Sequence, residues 1–195
     1  PPLPARTRTL CLMALRRTRR AALEAAAAAA ATAMTSIPAK AAKKGGKLRL
    51  GLAGANTSDS WDGRTHSDSY MIMAGHGAVF DTLTQVAANG DLVGELAESW
   101  EASPDAKTWT FKLRKAKFHN GNAVTAKDVI ASIDHHRGED SKSGGKAVAD
   151  TIAEMKADGD GTVVFTLKEG NADFPYMASD YHLAILPADD SGKID

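Results

Sequence analysis

Between Thr108 and Arg114 every second side chain is large and apolar: Trp109, Phe111 and Leu113 alternate with Thr108, Thr110, Lys112 and Arg114. A period of two lines up all three apolar groups on one face of a strand. This stretch therefore commits the chain to a sheet with one covered face. Its partner is expected at Glu98 to Ser103, across the Pro104-Asp105 turn. A second hairpin is read from Ile152 to Ala157 and Thr162 to Lys168. There Val163, Phe165 and Leu167 alternate, and Asp158-Gly159-Asp160-Gly161 supplies the turn.

Other stretches add to this frame. Leu48, Leu50 and Leu52 alternate with Lys47, Arg49 and Gly51, which predicts a half-buried strand. Asn120-Gly121 is a turn dipeptide that ends another short strand. His182 to Leu186 reads as an apolar strand stopped by Pro187. Thr125-Ala126-Lys127-Asp128 resembles a capping box with Asp in place of Glu. Behind it Ala126, Val129, Ile130 and Ile133 predict a helix over 126–136. A short helix is expected around Asp173 to Ala178, and a poorer one from Tyr70 to Phe80, weakened by Gly75 and Gly77. Leu92, Leu96 and Trp100 recur every four residues, with Val93 and Ala97 beside them. Residues 53–69 are small and polar apart from Trp61, as in a loop at a strand's end. The fold class is α/β, of α+β character within this stretch, with hairpins, few helices and no internal repeat.

Charge divides the chain. Its 24 basic and 24 acidic residues cancel, but residues 1–42 hold seven basic residues and one acid. The remainder is acidic, which argues against a nucleic-acid partner. Arg16-Arg17-Thr18-Arg19-Arg20 precedes Ala21-Ala22-Leu23, an alanine-rich run from Ala25 to Met34, and Ala39-Lys40-Ala41. Basic segment, weakly apolar segment and small-x-small site are the parts of an export signal. Residues 1–41 are read as that signal, with Arg19, Arg20 and Leu23 resembling a twin-arginine motif and cleavage at Ala39-x-Ala41. Ala22 stands where a bulky apolar residue is usual, so the general secretory route stays open. Met13 could be the true start. No apolar run reaches the 18 or so residues of a membrane span. Cys11, the only cysteine, lies in this prefix, so residues 42–195 have no thiol nucleophile, disulfide or thiolate metal site.

Few constellations carry chemistry. His135-His136 are adjacent on a predicted helix and point about 100° apart, so they do not share a metal easily. His66 and His76 lie in the early Gly/Ser-rich region. All four are expected to be solvated or capping, and His119, in Phe118-His119-Asn120-Gly121, to be a turn histidine bonded to backbone. Asp158 and Asp160 lack the spacing of a calcium loop. Asp189-Asp190 reads as a solvated terminus. There is no Gly-x-Ser-x-Gly elbow and no phosphate loop. No catalytic residue, metal or cofactor is expected. Trp61 beside Asp62 suits a ligand with an apolar part and an amine, or else Trp61 covers a hydrophobic edge.

Four blocks in order suggest a family. Leu96-Ala97-Glu98-Ser99-Trp100, Thr108-Trp109-Thr110-Phe111-Lys112-Leu113-Arg114, Lys117-Phe118-His119-Asn120-Gly121 and Thr125-Ala126-Lys127-Asp128-Val129 resemble the family 5 extracellular solute-binding proteins of ABC importers. Trp109 replaces the family's usual Tyr and Asn120 its usual Asp. The resemblance covers about residues 47–190. It implies a type II, two-lobed periplasmic-binding-protein fold that closes on its ligand, with residues 42–195 forming only part of the first lobe. It also implies a peptide or similar small polar ligand, an ABC permease and ATPase as partners, a monomer, and a periplasmic location. From the family's early loop and the segment after its capped helix, Trp61, Asp62, Ser143 and Gly144 are the candidate ligand contacts. The competing expectations are an inert truncated fragment and an exported enzyme.

Overall fold

The structure is a computed structural model that describes residues 46–47, 49–76 and 78–194. The export-signal reading, with Arg19, Arg20, Leu23, Ala39 and Ala41, lies outside the described residues. One compact unit begins at Leu50. Among the described residues no helix is long and apolar enough to cross a membrane.

The elements are α1 (Ser69–Gly75), β1 (Thr84–Val86), β2 (Leu92–Gly94), β3 (Ala97–Ala102), β4 (Thr108–Leu113), α2 (Ala126–Asp134), α3 (Lys146–Ala149), β5 (Ile152–Ala157), β6 (Thr162–Leu167) and α4 (Phe174–Met177). β3, β4, β6 and β5 form an antiparallel sheet in that order, and β1 pairs with β2 in a small second sheet. The two expected hairpins are both present. Trp100 lies opposite Phe111, and Trp109 opposite Phe165. This register puts Trp109, Phe111, Leu113, Val163, Phe165 and Leu167 on one buried face. Phe174 from α4 fills the middle of that face, its ring centroid 5.4 Å from Phe165 and 6.1 Å from Phe111.

Helix α2 packs on the sheet through Ala126, Val129 and Ile133. Its start matches the capping-box reading: the Thr125 backbone N–H donates to Asp128 Oδ2 at 2.8 Å. Asp128 has a second task, because its Oδ1 accepts from the Ala188 N–H at 2.9 Å. Ser132, one turn on, accepts from the Leu186 N–H at 2.9 Å. Two buried polar groups of α2 thus hold the segment that follows His182.

That segment corrects the expected strand at His182 to Leu186. Leu183, Ala184 and Ile185 are buried as an apolar strand would be, yet no ladder forms. Ile185 donates to the Asp81 carbonyl at 2.9 Å, and side chains of α2 take the next groups. Once these single bonds satisfy the backbone, no neighbouring strand is needed. The expected strand at Leu48 to Leu52 also differs: residues 49–52 have no strand assignment and Leu50 is 61% exposed. Alternation needs an edge to pair with, and among the described residues none meets it. Around Asn120-Gly121 only a single bridge, Lys117 to Ala123, replaces a strand. The four-residue recurrence from Leu92 to Trp100 belongs to two strands, β2 and β3. The helix read from Tyr70 to Phe80 ends at Gly75, where His76 caps it.

Candidate functional site

The loop that follows the first extended segment is held by its own polar residues. Asp62 caps a short 3-10 turn, Gly63–Thr65, its Oδ1 accepting the Arg64 backbone N–H at 3.0 Å. Arg64 Nε donates to Asp62 Oδ2 at 2.8 Å, and a guanidinium nitrogen lies 2.6 Å from the same oxygen. His135 Nε2, at the end of α2, stands 3.4 Å from Oδ1. Burial acts to raise the Asp62 pKa, but the hydrogen bonds and charge of Arg64, with His135, outweigh it and hold the carboxyl below the usual range.

Beside this carboxylate Trp61 is 55% exposed and meets Phe80 edge-on, with ring centroids 6.0 Å apart. Trp61, Asp62, Phe80, His135, Leu186 and Pro187 line a cavity of 300 Å³. One edge of the ring thus covers Phe80, as the hydrophobic-edge reading expects, and more than half of the residue stays exposed.

Ser143 and Gly144 come to the same loop from the other side of the sequence. The Gly144 N–H donates to the Arg64 carbonyl at 3.4 Å. Ser143 is buried; its Oγ accepts the Gly145 N–H at 3.1 Å and lies 2.6 Å from His136 Nδ1. The structure thus gathers all four candidate residues around one loop. Trp61 and Asp62 line the cavity, Gly144 bonds to the loop at Arg64, and Ser143, its neighbour in sequence, holds His136 and Gly145.

Of the four histidines expected to be solvated or capping, three are caps and His136 is neither. His66 caps the 3-10 turn, His76 caps α1 and His135 caps α2. His66 and His136, however, are only 3% and 2% exposed. Glycines make the room: a Cβ at Gly75 would lie 2.9 Å from the His66 ring, and one at Gly145 would lie 3.0 Å from His136 Nδ1. Burial, then the neighbouring His135, pushes the His136 pKa down to about 4. Burial also lowers that of His66, whose ring nitrogens both lack a hydrogen-bond partner. His119 donates to the Val79 carbonyl at 3.2 Å, as a turn histidine would. Asp158 and Asp160 stand in the β5–β6 turn, and Asp189 accepts from Ser191 and Lys193 in an exposed turn. Among the described residues no three His, Cys, Asp or Glu side chains are placed to hold a metal ion.

Residues 91–195 match the family of bacterial extracellular solute-binding proteins, family 5 Middle. The chain belongs to this family. A Brucella ovis relative named as an ABC transporter peptide-binding protein is 35% identical over 109 residues, covering 53% of this chain and 21% of its own. Haemophilus influenzae OppA, named as a periplasmic oligopeptide-binding protein, is 57% identical over 44 residues, or 22% of this chain and 8% of that one. Among solved structures, Helicobacter pylori DppA in complex with the peptide STSA is 28% identical, with a TM-score of 0.56 over 66% of this chain and 29% of that chain. AgaA from A. tumefaciens R10, in complex with agropinic acid, is 34% identical, with a TM-score of 0.55 over 56% and 22%. The chain therefore spans about a fifth of the length of the curated relatives it matches. As a family 5 chain it has the fold of part of the first lobe of a type II periplasmic-binding protein.

Sequence reasoning missed Phe80 and His182 as parts of this site. Phe80 carries no local signal, since it follows a glycine-broken helix. His182 sits in an apolar run, and its contact to residue 66 spans 116 positions.

Proposed function

We propose that this chain is the amino-terminal part of the substrate-binding component of an ABC importer, which captures peptides or similar small polar solutes and delivers them to a permease and its ATPase. The observation that carries the reading is Trp61, more than half exposed on a loop pinned by Asp62, Arg64 and His135, above an apolar cavity. An exposed aromatic ring on a pre-formed loop offers contact area without an ordering cost. The three Arg64 nitrogens on Asp62, with the His135 ring beside them, leave little room for a ligand's ammonium, so Trp61 makes the main contact and Asp62 presents it. The Gly144 N–H ties the loop to the body at the Arg64 carbonyl. The relatives named as peptide-binding proteins and the DppA complex with a tetrapeptide support a peptide ligand. No bond is broken; binding and delivery are the whole cycle, performed by a monomer in the periplasm after residues 1–41 are removed as a twin-arginine-type signal.

Isothermal titration with the neutral tetrapeptide Ser-Thr-Ser-Ala tests this. Binding that weakens in Trp61→Ala supports the site. Equal binding in that variant moves the ligand elsewhere, and no heat with this peptide or a mixed tripeptide pool refutes the function.

A further inference from the structure

Besides the Trp61–Phe80 and Asp62–His135 contacts, the Trp61–Asp62 loop meets the body at three further places, and His182 is at two of them. Its backbone carbonyl lies so close to Gly63 that a Cβ there would stand 2.6 Å from it. Its ring spans two acceptors. Nε2 is 3.0 Å from the His66 carbonyl, and Nδ1 is 2.7 Å from Asp180 Oδ1. The third contact, from Gly144 to Arg64, crosses the same ring, which a side chain at residue 144 would strike.

A carbonyl oxygen only accepts, so Nε2 must donate. Asp180 Oδ1 already accepts the His182 backbone N–H at 2.9 Å, so Nδ1 must donate as well. Only the imidazolium carries both hydrogens. A neutral ring would turn one lone pair toward an oxygen and lose one of the two bonds.

We propose that His182 is a positioning residue of the ligand site, an imidazolium clamp that ties the Trp61-bearing loop to the body by donating to His66 and to Asp180 at once. The proposal rests on that loop being where ligand binds. The surrounding groups fit the role. Asp180 and Tyr181 come from its own segment, the latter with its ring centroid 4.0 Å away. His66, Asp62 and Arg64 come from the loop, and His135 and His136 from the end of α2. His66 and His136 are both pushed toward neutrality by burial, so neither adds a second full positive charge beside the clamp. Asp180 is the carboxylate that faces the ring directly.

The test combines two variants with three readouts on the 195-residue chain. Long-range proton–nitrogen spectra at pH 7 read the ring states: two N–H groups on His182 are expected, and one proton on His136. Backbone hydrogen exchange reads the loop. His182→Leu is expected to speed exchange at residues 62–66 about tenfold or more, the effect of losing a charge-assisted hydrogen bond, while β4 and β6 amides keep their rates. Asp180→Asn preserves shape but removes the charge; it is expected to return the ring to one N–H and to loosen the loop partway. Titration with Ser-Thr-Ser-Ala should show weaker binding in both variants. A neutral His182 ring in the parent chain, or unchanged loop exchange in His182→Leu, overturns the clamp. Faster loop exchange with unchanged peptide affinity overturns its role in binding and, with it, the placement of ligand on this loop. Absence of peptide binding in the parent chain refutes the functional reading, and the positioning role falls with it.

Discussion

His136 makes the fold sensitive to acid well above the carboxylate range. Its ring is 2% exposed, wedged between Gly145 and Ser143. Ser143 Oγ already accepts from Gly145, so its own hydrogen is free for His136 Nδ1, and the neutral ring is satisfied. The pKa is pushed down from 6.5 to about 4. An unfolded chain takes up a proton at this residue near pH 6.5, whereas the folded one resists until about pH 4. Stability from this group is therefore complete above pH 6.5, falls with decreasing pH, and is fully lost below pH 4. A difference of that size corresponds to about 3 kcal/mol in full, and to about 2 kcal/mol by pH 5. Relaxation and water entry around a charged ring reduce these values, so they are upper bounds. Urea denaturation at pH 7 and pH 5 gives the parent's loss, and His136→Gln gives the same loss without this titration. The variant is expected to be weaker at pH 7 but to lose about 1–2 kcal/mol less on acidification. His66, depressed in the same direction, remains in both chains and cancels in the comparison. Equal pH slopes in the two chains would refute the reasoning, because the proton uptake would then lie elsewhere.

Three further outcomes follow from the packing. Phe111→Ala empties the centre of the aromatic cluster and is expected to cost about 3–5 kcal/mol, read as a lower denaturation midpoint; a loss below 1 kcal/mol would mean the core collapses around the gap. Asp128→Ala removes both the α2 cap and the Ala188 anchor, for a cost of about 1–2 kcal/mol, with faster hydrogen exchange expected at Leu186 and Ala188 if the two roles are linked. Gly144→Ala drives a methyl group into the His182 ring and is expected to cost about 1–3 kcal/mol; wild-type stability would mean that the 141–145 segment shifts freely.

The hairpins and α2 were legible because their signals are local. Alternation from Thr108 to Arg114 and from Val163 to Leu167 selects a strand and names its buried face, and Thr125 with Asp128 marks a helix start, all within a few residues. Those patterns also carried the family, since the four blocks that resemble it are strand, turn and cap signals. Leu48 to Leu52 and His182 to Leu186 alternate or cluster just as clearly, yet neither residues 49–52 nor residues 182–186 form a ladder. Whether an extended segment joins a sheet depends on which donors and acceptors reach it. For residues 185–188 those are Asp81, Ser132 and Asp128, far away in sequence. The site divides in the same way. The sequence and the family resemblance named Trp61, Asp62, Ser143 and Gly144 as candidate contacts. Only the tertiary structure set Trp61 against Phe80, surrounded Asp62 with Arg64 and His135, and placed His182 across the chain from His66. A side chain's charge state and its freedom to meet a ligand are properties of its neighbours, and folding alone assembles those neighbours.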